Sequence, residues 1–282
     1  MTACAVALSL GATAFASAPA ADNASSYAYN PGNWPNGSNG GFGFAPWVLS
    51  VSVGGAGGHF IWKSTANADG LDDGIVGGVA GDGDIDTTIG PSPDVPTWPP
   101  ANVTVPRSWG MWNAGGVTDA IRPFTGGPLA IGQTFSVDFD NGWVNTGQTV
   151  GIGLQNAAGL NLWEVYFVGG GNVYVNNDAA GPVNTTVGYG DEGLHVDFTL
   201  TGPAAYTMTL TRRDGVNQTI AGGLMNPQGD QNIVQFRAFN SGGPGGDPYN
   251  FYVNSLQIIP EPSTFGLVSL GLLGALALRR RK

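Results

Sequence analysis

Phe135-Ser-Val-Asp-Phe-Asp140 and Leu194-His-Val-Asp-Phe-Thr-Leu200 are the stretches from which the fold is read. In the first, Phe135, Val137 and Phe139 alternate with Ser136, Asp138 and Asp140. In the second, four apolar residues alternate with His195, Asp197 and Thr199. Ala205-Tyr-Thr-Met-Thr-Leu-Thr211 repeats the pattern, with three Thr on one side. Successive side chains on a strand point to opposite faces, so strict alternation marks a half-buried strand.

Further short apolar runs lie at 47–53, 59–62, 109–113, 149–155, 162–168, 172–176, 233–239 and 251–259. Turn signals separate them: Asp140-Asn-Gly142, Gly169-Gly-Gly171, Asp214-Gly215 and Ser241-Gly-Gly-Pro-Gly-Gly246. Many short strands with Gly turns, and no Gly- or Pro-free stretch of helical period, predict an all-β protein. The reading is one antiparallel β-sandwich of jelly-roll type over residues 46–259. Residues 90–106 carry six Pro and are read as a surface insertion, because Pro suits neither a central strand nor a helix. Residues 22–45, rich in Asn, Gly, Ser and Pro, are read as a linker.

Composition narrows the class. The chain has 282 residues with 47 Gly and 19 Pro, yet also 8 Trp, 8 Tyr and 13 Phe. That aromatic content argues against a disordered chain. The net charge is −10, and four of the ten basic residues are Arg279, Arg280, Arg281 and Lys282. Removing these four leaves −14 for the rest. An acidic body argues against nucleic-acid binding. The sole cysteine, Cys4, cannot form an internal disulfide.

The ends read as addresses. Residues 1–21 are uncharged and Ala-rich, with small-x-small patterns at Ala14-Phe15-Ala16 and Ala18-Pro19-Ala20. They are read as a secretory signal without its basic start. At the other end Pro260-Glu261-Pro262-Ser263 precedes a 14-residue apolar run, Phe265 to Leu278, and then the basic tail. As a short hydrophobic helix that run would extend about 21 Å. A full span of the hydrocarbon takes about 20 residues, so the segment suits a processed signal better than a permanent anchor. The tail would stay cytoplasmic.

This three-part terminus, residues 260–282, resembles the PEP-CTERM sorting domain of Gram-negative bacteria. The resemblance implies recognition of Pro260, Glu261 and Pro262 by exosortase, a membrane-embedded cysteine transpeptidase. It also implies export to the cell surface or extracellular matrix after transient inner-membrane anchoring, often alongside exopolysaccharide or biofilm production. The body is similar to concanavalin-like, lectin-like jelly rolls at Gly132–Gly142, Leu154-Gln-Asn and Asn161–Phe167.

Chemistry-bearing candidates are few. Asp82, Asp84 and Asp86, in Gly81-Asp-Gly-Asp-Ile-Asp86, alternate as oxygen ligands of a calcium loop do, though no Glu closes the loop. A glycosidase needs two carboxylates about 5–9 Å apart. The candidates are Glu164, expected to face as Leu162 and Tyr166 do, Glu192 in a turn, and the pair Asp138 and Asp140, expected to face solvent. His59 and His195 lack a nucleophile elbow. Trp34, Trp98, Trp109, Trp112 and Trp143 lie near expected loops and suit stacking on sugar rings. The overall expectation is a non-enzymatic exported protein; the alternatives are a carbohydrate-binding module and, behind it, a polysaccharide-active enzyme.

Overall fold

The computed structural model describes residues 19–24, 33–63, 75–76, 79–80, 107–189, 193–212, 215–246 and 249–260. In chain order the strands are β1 (Ala20–Asp22), β2 (Val48–Val51), β3 (Ala56–Lys63), β4 (Ile75–Val76), β5 (Val79–Ala80), β6 (Arg107–Ala114), β7 (Val117–Pro123), β8 (Thr134–Asn141) and β9 (Thr149–Gln155). They continue as β10 (Asn161–Val168), β11 (Val173–Asp178), β12 (Gly181–Gly188), β13 (Leu194–Gly202), β14 (Ala205–Arg212), β15 (Asn217–Gly223), β16 (Gln235–Ser241) and β17 (Phe251–Ile259).

Two antiparallel sheets form the sandwich. The first runs β15-β14-β13-β8-β17-β6-β3, with β1 added against β17. The second runs β12-β11-β10-β9-β16-β7-β2. The alternating stretches supply the first sheet's inner face: Phe135, Val137 and Phe139 from β8, Val196, Phe198 and Leu200 from β13, and Tyr206, Met208 and Leu210 from β14 are all buried. Facing them are Ile152 and Leu154 of β9, Trp163 and Val165 of β10, and Phe236 and Ala238 of β16. The rings interlock: Phe135 stacks on Phe236 with centroids 5.3 Å apart, and Trp163 meets Phe198 at 4.9 Å. Edge and offset contacts of this kind stabilise a core beyond the apolar area they bury.

β17 is the last strand among the described residues and an interior strand of its sheet. It pairs with β8 along most of its length, with β6 through Phe251–Val253 and with β1 through Leu256–Ile258. The first sheet therefore closes only when the C-terminal strand is in place.

Residues at the N-terminal side pack on the sandwich. Ala20 and Ala21, assigned to the leader, lie in β1, opposite Ile258 and Gln257. Of the expected linker, residues 22–24 and 33–45 are packed against the sandwich, with Trp34 and Phe44 in the core. Arg122 is the physical reason. It sits at a core-facing position of β7 with no exposure, and a buried guanidinium requires an anion and several acceptors. Asp22 Oδ2 lies 2.5 Å away, Asn39 Oδ1 2.8 Å and the Gly40 carbonyl 3.0 Å. The guanidinium also covers the rings of Phe44 and Trp47. Gly41 and Gly43 let this segment lie on β1: a Cβ on Gly43 would sit 2.4 Å from the Ala20 Cβ. The proline-rich 90–106, most of the leader and the terminal apolar run lie outside the described residues.

Candidate functional site

Three features carry functional groups: the exit of the chain from β17, a buried cluster around His195, and a polar platform on the outer face of the second sheet.

β17 ends at Ile259, and Pro260 follows directly. Ile259 pairs with Thr134, and Ile258 pairs with both Phe135 and Ala20. The sequence motif thus begins where the sheet stops, with no spacer. Glu261, Pro262, Ser263 and the basic residues Arg279–Lys282 lie outside the described residues.

His195 on β13 faces Asp138 on β8, its registered partner. Nδ1 lies 2.6 Å from Asp138 Oδ1, while Nε2 lies 3.2 Å from both Ser136 Oγ and Asp197 Oδ1. Alternation on two paired strands places all four groups on one face. Burial works against a charged imidazole, but hydrogen bonds to Asp138 and Asp197 outweigh it and push the His195 pKa up to about 10. Burial raises the Asp138 carboxyl against the pull of His195. Asp197, despite the cost of burial, is held below the usual carboxylate range by His195 and Ser136. Ser, His and Asp are together, but not as a nucleophile and base. Ser136 Oγ donates to Asp197 at 2.8 Å, and an imidazole clamped by two carboxylates holds its proton at neutral pH. The cluster behaves as a cationic rivet between two strands.

The platform follows from register. Arg237 on β16 lies beside Gly153 on β9, and Gly153 lies beside Glu164 on β10. Gly153 has no side chain, so Arg237 and Glu164 meet above it, with Nη1 3.5 Å from Oε1. Arg237 also binds Asp119 of β7 at 2.7 Å and covers the Phe239 ring at 4.5 Å. Glu164 accepts from Asn161 at 2.6 Å and Asn177 at 3.0 Å. One row over, Tyr166 packs on Gly151, where a Cβ would lie 2.4 Å from the Tyr166 Cβ. The outcome is a half-buried aromatic and charged strip across five strands.

Several sequence expectations change. Asp138 and Asp140 do not face solvent: β8 lies between β13 and β17, and side chains from its neighbours close over its second face, so both are buried. A bulge between Asn161 and Trp163 buries Leu162 and Trp163 together, so Glu164 faces out with Tyr166 and not with Leu162. Trp34 and Trp109 are core residues, packed with Trp47. Trp112 is half-buried, and Trp143 is exposed. His59 is half-buried against Trp34 and the Asp119 carbonyl, and burial lowers its pKa. Trp98, Glu192 and the proposed calcium ligands Asp82, Asp84 and Asp86 lie outside the described residues. Among the described residues, no group of three or more His, Cys, Asp and Glu is arranged to hold a metal ion. The sequence reading missed Arg122 and Arg237; an Arg inside an alternating run was the available signal.

Comparison with known proteins gives one family match. The PEP-CTERM protein-sorting motif matches residues 259–282. It indicates an exported, envelope-associated protein and implies processing by an exosortase. A search of curated proteins found no match. Among solved structures, a sialidase is similar over 56% of this chain and 16% of its own, at 9% identity and a TM-score of 0.42. A carbohydrate esterase of the Shiga toxin-encoding bacteriophage phi24B is similar over 76% of this chain and 90% of its own, at 12% identity and a TM-score of 0.41. The binding domain of botulinum neurotoxin serotype D is similar over 54% and 39%, at 8% identity and a TM-score of 0.38. At such scores these likenesses assign neither ligand nor activity.

Proposed function

We propose that the protein is a non-enzymatic component of the cell surface or extracellular matrix of a Gram-negative-type bacterium. An N-terminal signal directs its export. An exosortase recognises Pro260, Glu261 and Pro262, while the apolar run and Arg279–Lys282 hold the chain transiently in the inner membrane. The observation that carries this reading is the sorting motif at residues 259–282, placed directly after the last described strand of the folded body. The role we propose for the protein there is in exopolysaccharide or biofilm. The absence of enzymatic activity is supported by the clamped His195 and by Glu164 being tied to Arg237, Asn161 and Asn177. Intact mass of the mature protein tests the sorting: the expected chain ends near Pro262, and a chain that retains Arg279–Lys282 contradicts it.

A second reading, carbohydrate binding, is favoured by the platform. A sugar ring pairs an apolar face with hydroxyls, and Tyr166 beside Arg237, Glu164 and Asn177 offers the matching surfaces. A glycan array with the mature protein and with Tyr166→Ala tests it. Binding lost in the variant is expected, and no binding to any polysaccharide of the producing organism rejects it.

A further inference from the structure

The sorting segment leaves from the end of the sandwich at which β17 stops. Four segments meet there: 40–46, 124–133, 199–205 and 257–260. Hydrogen bonds join them to one another and to β1. Ala21 and Phe42 exchange backbone bonds at 3.0 and 2.9 Å, Gly132 donates to the Leu200 carbonyl, and Thr125 donates to the Gly43 carbonyl. None of the four segments contains a charged residue, in a chain where charged residues make up 11%. Asp22, on the adjoining β1, is buried against Arg122. β3 ends and β6 begins toward the same end, with Lys63 opposite Arg107, and the acid-rich residues between them lie largely outside the described ones.

The same end exposes large apolar side chains. Ile259 is 45% exposed, Ile131 50% and Phe42 39%. Ile131 sits in the turn that leads into Thr134, the partner of Ile259. Phe42 bridges Ala21, which pairs with Gln257, two residues before the end of β17. Isolated exposed apolar residues are ordinary, but here three share the end from which the tether leaves.

The chain beyond the described residues says what covers them. Five residues, Pro260 to Thr264, separate Ile259 from Phe265, where the apolar run begins. Even fully extended, Ile259 stands at most about 22 Å from Phe265, at roughly 3.3–3.6 Å per residue. The headgroup layer takes about 5–7 Å of that distance. So short a tether keeps the body's local concentration at the surface in the millimolar range, where weak contacts suffice.

We infer that this end of the sandwich, through Phe42, Ile131 and Ile259, rests on the lipid surface while the sorting segment is in the membrane. The inference depends on the membrane-anchored stage of the proposed sorting pathway. It assigns the body a fixed orientation, with the turn at Val53, at the opposite end, pointing away from the bilayer. Recognition of the motif then takes place with the folded body seated beside it.

An environment-sensitive fluorophore tests this in the full chain carrying Cys4→Ser, reconstituted in phosphatidylethanolamine–phosphatidylglycerol vesicles. Single labels are placed at Ile131→Cys, Val53→Cys and Leu272→Cys, and each variant is checked for an unchanged melting temperature. Spin-labelled lipid is expected to quench the labels at 131 and 272 severalfold more than the label at 53. If 272 is quenched while 131 is no more quenched than 53, docking is wrong and the anchor stands. If 272 is not quenched either, the anchored stage itself fails, and docking falls with it.

Discussion

Replacing Asp22 with Ala strands the Arg122 guanidinium in the core. Arg122 belongs to β7 in the second sheet and Asp22 to β1 beside the first, so their contact ties the two sheets at the N-terminal margin. Both side chains are fully buried, and Nη2 to Oδ2 is 2.5 Å. In such a site most of the effect comes from the charge left behind, not from the contact removed. Breaking a buried pair on one side costs about 3–5 kcal/mol. Asn39, Gly40 and Ser38 still accept from the guanidinium, which places the expected loss toward the lower end. For a body of this size, each kcal/mol shifts the melting temperature by about 2–4 °C, so Asp22→Ala is expected to lower it by roughly 6–12 °C. Asp22→Asn, which keeps an acceptor and loses the charge, falls between. Thermal and urea unfolding of the mature protein measure both. Arg122→Met combined with Asp22→Ala removes the stranded charge, so the double variant should be more stable than Asp22→Ala alone. The reasoning is refuted if Asp22→Ala shifts the melting temperature by less than about 2 °C. It is equally refuted if the double variant loses the sum of the two single losses, since coupled partners must depart from additivity.

The His195 clamp predicts a dependence on pH. A histidine whose pKa is raised from 6.5 to about 10 by folding stabilises fully below pH 6.5, and that contribution is lost as pH rises through about 10. Urea midpoints between pH 6 and 10 should fall more steeply for the wild type than for His195→Gln; parallel slopes contradict a charged clamp. Gly43→Ala places a Cβ 2.4 Å from Ala20 at a φ of +78°, so it should cost more than about 1 kcal/mol. A neutral melting curve for that variant denies the close approach of residues 40–46 to β1.

Where side-chain alternation was strict, the strands were legible. β8, β13 and β14 appear within a residue or two of their expected bounds, and β9 and β17 at their expected bounds. β7 was missed because its core side is Thr118, Ala120 and Arg122, so its polarity runs against its burial. β12 was missed because Gly181-Pro182 opens it with turn residues. β1 has only three residues, too few for a period. The platform was hidden for a related reason. Glu164 and Arg237 are adjacent only because two strands place Gly153 between them.

The sequence by itself determined the all-β class and the sorting terminus, because both are written in local order: a period of two in one, and a motif, apolar run and basic tail in the other. Burial on both faces of β8 was decided by its place between two neighbours, which no local pattern encodes. The same holds for the clamp on His195, for the capture of residues 33–45 by Arg122 and for the interior position of β17. These depend on strand order and register, which bring together residues up to a hundred or more positions apart.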